Sequence, residues 1–256
     1  MAKGKLSVYI LTYNNEDTIE RCLKSILWAD EIVVVDHFSV DQTPEICRRY
    51  AHKFFQKEWT NYRDEYNFAA SLTSNKWVMF LDSDEEVTPE LAREIQEELG
   101  KEDHYVGYKV PRMTFYLGRW IRHGGWYPDY KIRIYRRDKG KWEGEKFDPR
   151  VVVDGPVKKL KNPCLHYSFR DLKDHIERMD LYSGLFASLK RKKGPLIVNL
   201  LLRPPFRFIR NYFLKGGFLD GVPGLIAATM SSYYVFLKYA KTWELQNVKH
   251  TPEGKR

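Results

Sequence analysis

The sequence predicts an α/β fold with a mixed, mainly parallel sheet flanked by helices, followed by a basic helical region from about residue 170. Short apolar, β-branched segments alternate with helical patterns over the first hundred residues, and each apolar segment ends in polar side chains. Strand–helix alternation with short loops favours right-handed crossovers and parallel pairing. At 256 residues the chain can bury a full core, as one large domain or two smaller ones.

The first predicted strand is Leu6–Leu11, and it ends in Thr12, Tyr13 and Asn14. A helix is predicted for residues 18–27, because apolar side chains recur there at helical spacing. These side chains are Ile19, Cys22, Leu23 and Ile26.

The second predicted strand, Glu31–Asp36, is β-branched almost throughout, which is typical of a parallel strand buried on both faces. A turn-like segment containing Asp41 follows, and a helix is predicted for residues 43–52. Thr43 is its expected N-cap, with Pro44 in the first turn.

The third predicted strand, Lys76–Leu81, stops abruptly at Asp82, Ser83 and Asp84. Open α/β sheets bind ligands at the carboxyl edge of their strands. Two carboxylates there suit Mg²⁺ or Mn²⁺, because these ions take oxygen ligands. Substrate phosphates often complete their coordination. A solvated turn is the alternative for an isolated Asp-x-Asp pair.

These three segments, in this order and spacing, resemble family 2 glycosyltransferases. Residues 126–137 and 165–168 are similar to a narrower branch that contains bacterial lipopolysaccharide-core glucosyltransferases. The resemblance implies a glycosyltransferase A type fold. It also implies inverting transfer of a hexose from a nucleotide sugar to a glycolipid or oligosaccharide acceptor, and a UDP-hexose is the expected donor.

The resemblance also implies roles for individual residues. Asp84 is expected to coordinate the metal, and Asp82 to contact the ribose or a metal-bound water. The other expected donor-binding residues are Thr12, Tyr13, Asn14, Asp36, Asp41, Arg63 and Asn67. Capping of turns is the alternative for Asp36 and Asp41, and a solvent-facing helix start is the alternative for Arg63 and Asn67.

Inverting transfer needs a carboxylate to accept the proton of the acceptor hydroxyl. Asp129 is the first candidate, because it precedes a strand-like alternation of Ile132 and Ile134 against Arg133 and Tyr135. Members of the branch tend to carry a His-Glu pair where this chain has residues 147–150. The absence of this pair leaves the identity of the acceptor open. Glu143, Glu145 and Asp148 are therefore alternatives for the base, and His166 is a candidate ligand of the metal or diphosphate.

Charge is distributed unevenly along the chain. Residues 1–169 hold 27 Lys+Arg and 27 Asp+Glu, whereas residues 170–256 hold 16 and 7. Basic residues, including the run Lys190–Lys193, are interleaved with apolar residues in the last third of the chain. This pattern favours an anionic membrane surface as partner. A solvated basic face is the alternative, and no nucleic-acid-binding motif is present. The uncharged run at 221–237 is too short for a membrane span and is expected to be a packed or interfacial helix.

We therefore expect a nucleotide-sugar-binding catalytic domain at residues 1–169 and a basic, membrane-associating region at residues 170–256. Three unpaired cysteines and the absence of a secretory core in the first ten residues favour a cytoplasmic protein, peripheral on the inner face of the membrane. Whether the chain forms a homo-oligomer is left open. Two other function classes are a Mg²⁺-dependent phosphatase of the haloacid-dehalogenase kind and a non-catalytic membrane-associated scaffold.

Overall fold

The computed structural model describes residues 4–101, 104–189 and 196–248. The run Lys190–Lys193, singled out above for its charge, lies outside these residues. The described chain divides into two compact units. One contains residues up to Met113 together with Pro128–Tyr167, and the other contains Thr114–Tyr127 with the residues from Ser168 onward.

The first unit is built on the predicted mixed sheet. Its order runs β3 (Lys53–Gln56), β2 (Glu31–Asp36), β1 (Leu6–Thr12), β4 (Trp77–Phe80), β8 (Asp129–Arg136), β6 (Gly107–Tyr116), β12 (Cys164–His166) and β5 (Glu85–Val87). The first four strands pair in parallel, whereas β8 is antiparallel to both β4 and β6. The start of β6 also pairs with β11 (Val157–Lys159), and β9 (Gly140–Glu145) forms a hairpin with β10 (Asp148–Val153). The last residues of β6 belong to the second unit, where they pair with β7 (Arg119–Trp120). The predicted fold class is confirmed.

Helices cover both faces of this sheet. One face packs against α1 (Ile19–Lys24), α2 (Thr43–Tyr50) and α4 (Pro89–Leu99), and the other packs against α3 (Tyr62–Ser71) and the β9–β10 hairpin. All six residues of β2 are buried, as expected for a strand covered on both sides. The side chains of Val33 and Val35 enter one core and those of Ile32 and Val34 the other.

Two local expectations need correction. The α1 helix is shorter than residues 18–27, although all four of its predicted apolar positions are buried. Thr43 is the first residue of α2 and not its N-cap, because Asp41 accepts the Thr43 amide at 3.0 Å and closes the turn itself. In β8, Arg133 and Tyr135 are both buried, because this strand lies between two others in the sheet.

The second unit is mainly helical. It contains α5 (Leu172–Ser188), α6 (Leu196–Ile209), a π-helical turn (Arg210–Leu214), a 3₁₀ turn (Gly217–Asp220) and α7 (Gly221–Asn247). Its loop at residues 119–123 is held by Asp220, whose carboxylate accepts the amides of Arg122 and His123 at 3.1 and 2.8 Å. The uncharged run 221–237 is helical as expected, and none of the helices in the described ranges is long and apolar enough to cross a bilayer.

Candidate functional site

The carboxyl ends of β1, β2 and β4 are joined by Asn15, through its side chain and its backbone amide. Its Oδ1 accepts hydrogen bonds from Thr12 Oγ1 at 3.1 Å and from Ser83 Oγ at 2.9 Å. Its backbone amide donates to Thr43 Oγ1 at 2.8 Å, beyond the end of β2. Because parallel strands end at the same sheet edge, these contacts gather three polar loops into one place. Sequence reasoning had not assigned a role to Asn15.

The segment after β1 presents Tyr13 and holds Thr12 and Asn14 in place. The side chain of Thr12 is buried, whereas Tyr13 is 57% exposed. Asn14 adopts a left-handed backbone conformation with φ of 51°, which Asn tolerates better than most residues. Its amide donates to Ser39 Oγ and its side-chain oxygen accepts the amide of Val40. Tyr13 is therefore the side chain of this segment most available to a ligand.

Asp36 and Asp41 both hold the loop that follows β2. The buried Asp36 carboxylate accepts from the Ser39 amide and hydroxyl, and from Gln56 Nε2 at 2.9 Å. Asp41 accepts the amides of Thr43 and Glu16. Although burial raises the pKa of Asp41, these hydrogen bonds lower it overall. The turn-capping contacts weighed for both residues are present, and their contact with a nucleotide stays a prediction.

The two carboxylates of the Asp-x-Asp pair have different surroundings. Asp82 Oδ2 lies 2.9 Å from Arg133 Nη2. Asp84 Oδ1 instead lies 3.5 Å from His166 Nε2. The antiparallel register of β5 and β12, in which His166 faces Glu85, brings this imidazole to Asp84. The structure therefore places two of the three predicted metal ligands together and couples Asp82 to an arginine.

Asp84 and His166 fit a divalent ion that takes most of its ligands from elsewhere. Carboxylate oxygen and imidazole nitrogen both bind Mn²⁺, and Mg²⁺ or Mn²⁺ beside a diphosphate uses few protein ligands. The Nδ1 atom of His166 is buried without a hydrogen-bond partner. Among the described residues there is no cluster of three or more ligating side chains. A bound ion would thus need substrate phosphates and water to complete its coordination.

A buried ion-pair network behind these residues was missed from the sequence. Arg133 donates to both Asp82 and Glu85, and Glu85 is completely buried. Burial raises the pKa of Glu85, while the nearby guanidinium of Arg133 acts in the opposite direction. Arg112 Nη1 lies 3.8 Å from Glu85 Oε1. An isolated arginine in a predicted strand looks solvent-facing, and only the position of β8 between two strands reveals its burial.

Asp129, the predicted base, belongs to the same network. Its Oδ2 accepts from Arg112 Nη2 at 2.8 Å, and its Oδ1 lies 3.4 Å from Lys131 Nζ. The side chain is one-third exposed. The carboxylate thus lies between two cations and stays in contact with solvent, and its role as a general base stays a prediction.

Arg63 and Asn67 both contact the β9–β10 hairpin. Asn67 exchanges two hydrogen bonds of 3.0 Å with the backbone of Trp142, one in each direction. Arg63 binds Asp64 at 2.9 Å and reaches the carbonyl of Gly144 at 3.4 Å. The alternative base candidates Glu143, Glu145 and Asp148 lie on the same hairpin, with Glu145 opposite Asp148 in its register. The amide of Asn67 is thus held by the hairpin backbone through one donated and one accepted hydrogen bond, and the side chain of Arg63 is about one-third exposed.

Comparison with known proteins identifies a family and a fold. Residues 7–152 match the model of glycosyl transferase family 2. The lipopolysaccharide core biosynthesis glycosyltransferase LpsC of Rhizobium meliloti (strain 1021) is 28% identical, over 98% of this chain and 96% of that protein. An uncharacterized glycosyltransferase of Rickettsia typhi is also 28% identical, over 94% and 87%.

A solved structure supports the fold assignment. The mannosyltransferase PcManGT of Pyrobaculum calidifontis, solved in complex with GDP-Man and Mn²⁺, superimposes with a TM-score of 0.56 at 15% identity. The match covers 94% of this chain and 88% of that protein. At this level of identity the likeness establishes the shared fold.

Proposed function

Because this chain belongs to glycosyl transferase family 2, we propose that it moves a hexose from a nucleotide sugar to a glycolipid with inversion at the anomeric carbon. The acceptor class is lipopolysaccharide core or a related surface glycan. The similarity to LpsC over nearly the whole of both chains supports this choice. The family assignment also removes the phosphatase alternative for the Asp-x-Asp pair.

The observation that carries the proposal is the meeting of Asp84 and His166 at the sheet edge where Asn15 joins the loops after β1 and β4. A sugar diphosphate needs its charge neutralised where the phosphates leave, and its nucleoside needs polar partners nearby. Asp84, with His166, would hold Mg²⁺ or Mn²⁺, which would supply that neutralisation when bound. Asp82 would contact the ribose or a metal-bound water.

The remaining donor contacts would come from the loops at the same edge and from α3. Tyr13 offers an exposed aromatic face, and Asp36 and Asp41 retain oxygen lone pairs beside the loop they hold. Arg63 would bind the donor's phosphates. The proposed donor-binding set is Thr12, Tyr13, Asn14, Asp36, Asp41, Arg63, Asn67 and Asp82.

Asp129 would act as the general base. Its carboxylate would take the proton of the acceptor hydroxyl while that oxygen attacks the anomeric carbon from the face opposite the diphosphate. The bond between the anomeric carbon and the diphosphate oxygen then breaks, and the electron pair leaves with the nucleotide. The hydrogen bond from Arg112 at 2.8 Å would hold the carboxylate in place for this role.

The location proposed for this reaction is the cytoplasmic face of an anionic membrane, where a glycolipid acceptor is accessible. Residues 1–169 would supply the catalytic domain, and residues 170–256 would associate with the membrane. The excess of basic residues in this last third supports such a location, because anionic lipids attract it.

The test is a screen of purified protein against UDP- and GDP-hexoses with Mn²⁺, Mg²⁺ or excess chelator. We expect one donor to raise the melting temperature in the presence of metal and to be turned over slowly to free sugar. If no nucleotide sugar binds under any of these conditions, the chain is a scaffold that retains the fold without the chemistry. Transfer to a purified core glycolipid then identifies the acceptor.

A further inference from the structure

The α6 helix and the π-helical turn that follows it expose many of their apolar side chains and bury both of their asparagines. Leu201 and Phe206 are 66% and 60% exposed, whereas Asn199 and Asn211 are only 5% and 3% exposed. A helix on the surface of a water-soluble domain shows the opposite arrangement. Such an exposed apolar face favours an apolar medium or partner on its outer side.

The exposed side chains form one stripe at helical spacing. Along α6 and the π-helical turn the stripe contains Val198, Leu201, Leu202, Phe206, Ile209, Phe213 and Leu214. It continues through the 3₁₀ turn and the start of α7 with Phe218, Leu219, Val222 and Leu225. Single exposed apolar residues are normal, but a run of eleven within 28 residues is typical of a binding surface. We call this set the apolar stripe.

The charged residues that neighbour the apolar stripe in the sequence are of one sign. Residues 181–219 contain eight Lys or Arg and no Asp or Glu. Arg203, Arg207, Arg210 and Lys215 are interleaved with the stripe itself. The next acidic residue, Asp220, is buried and bonded to the 119–123 loop. The surface is therefore apolar with a basic rim.

We propose that the apolar stripe inserts into the interface of an anionic lipid bilayer, parallel to the membrane plane. Basic side chains beside an apolar face match anionic headgroups above acyl chains. A second copy of this chain fits less well, because a two-fold contact would bring the same cations together. None of the helices in the described ranges can span a bilayer, which agrees with attachment at the interface. The inference deepens the proposed function and rests on it for the lipid nature of the acceptor.

The experiment measures co-sedimentation of the full chain with phosphatidylglycerol vesicles and with phosphatidylcholine vesicles. We expect a preference for phosphatidylglycerol that weakens, but does not vanish, when NaCl rises from about 0.1 to about 1 M, because salt screens only the electrostatic part. Changing Leu201, Leu202 and Phe206 together to Ser should remove the salt-resistant part and lower vesicle partitioning about tenfold or more. These side chains are already exposed, so the fold should be retained.

Leu27→Ser is the matched control, because Leu27 is 56% exposed on the other unit. It should partition as the unchanged protein does. A protein that stays in the supernatant at low salt, or a triple variant that partitions normally, overturns the inference. So does a dimer that the triple substitution converts to monomer without any vesicle binding, since the stripe is then a contact between copies.

Donor turnover in the absence of vesicles separates this inference from the proposed function. The triple variant should hydrolyse the nucleotide sugar at the unchanged rate while losing its vesicle binding. Vesicle binding without any donor binding would leave the inference standing and remove the proposed transferase activity. The two failures are therefore distinguishable.

Discussion

Arg133 lies 2.9 Å from the carboxylate of Asp82 and is almost completely buried beneath it. The same guanidinium also binds Glu85, which has no exposed surface of its own. Although burial opposes it, the charge of these two carboxylates raises the pKa of Arg133, which therefore stays protonated. Asp82, the first acid of the Asp-x-Asp pair, is thus held in place by a buried, positively charged side chain.

Replacing Arg133 with Met should destabilise the protein and abolish transfer. Removing one partner of a buried ion pair leaves the other uncompensated and typically costs about 3–5 kcal/mol. Chemical denaturation measures that loss. The double variant Arg133→Met/Glu85→Gln should recover most of the stability but none of the transfer, because Asp82 still lacks its partner. Recovery of both would show that Arg133 serves the fold alone.

Asp84→Asn should abolish metal-dependent donor binding without loss of stability. The substitution keeps the size of the side chain but removes the charge that attracts the ion. Thermal shift with UDP- or GDP-sugar and Mn²⁺ should show no stabilisation in the variant. Asp138→Asn is the control, since Asp138 is an exposed residue that pairs with Arg136. Normal turnover of the Asp84 variant in excess chelator would contradict the metal role.

Asp129→Asn should lower the transfer rate ~10²–10⁴-fold, the usual contribution of a general base. An amide can still accept a hydrogen bond from Arg112, so the pairing of β6 with β8 and donor binding should be unchanged. Steady-state kinetics at saturating donor, with calorimetric donor binding alongside, separate the two effects. Asp148→Asn on the exposed hairpin is the comparison. If that variant loses more activity than Asp129→Asn, the base lies on the hairpin.

The parts that the sequence predicted well are those in which local pattern and burial agree. The β-branched run of β2 predicts burial on both faces, and all six residues of β2 are buried. The helical spacing of apolar residues predicts one buried face in the segment after β1, and its four apolar side chains are buried: Ile19, Cys22, Leu23 and Ile26. The Asp-x-Asp pair stands out because an apolar strand ends there. These features depend on residues close together in the chain.

The parts that the sequence did not predict depend on partners far along the chain. Arg133 is buried because β8 inserts between β4 and β6, 51 residues beyond Asp82. Asn15 gains its role from Ser83, 68 residues later. Asn67 is bonded to the backbone of Trp142, 75 residues later, while its contact with the donor stays a prediction. Strand order is the missing information in each case.

Asn67 and Arg63 should respond differently to replacement by Ala. Asn67→Ala leaves the amide and carbonyl of the buried Trp142 unpaired, which should lower the free energy of unfolding by about 1–3 kcal/mol. Arg63→Ala removes a partly exposed side chain and should leave stability unchanged while raising the KM for the donor. Denaturation and donor kinetics on both variants check this. An unchanged donor KM in the Arg63 variant would remove that residue from the donor site.

The second unit should lose stability in mild acid because of His175. Its ring is stacked on Phe169 and lies 2.7 Å from the Tyr116 hydroxyl, and burial lowers its pKa to about 4. In the unfolded chain the pKa is near 6.5, so between pH 6.5 and about 4 the unfolded state binds the extra proton. The stabilising contribution is therefore complete above pH 6.5 and is lost as the pH falls toward 4.

The size of this loss is at most about 3 kcal/mol, from ~1.4 kcal/mol for each unit of pKa shift. His175→Asn, which cannot titrate, should show a flatter dependence of unfolding free energy on pH between 7 and 4 than the unchanged protein. The carboxylates titrate in both proteins, so their contributions to the pH dependence cancel in the comparison. Parallel curves for the two proteins would mean that His175 is protonated as readily in the folded state as in the unfolded one, and the burial account would be wrong.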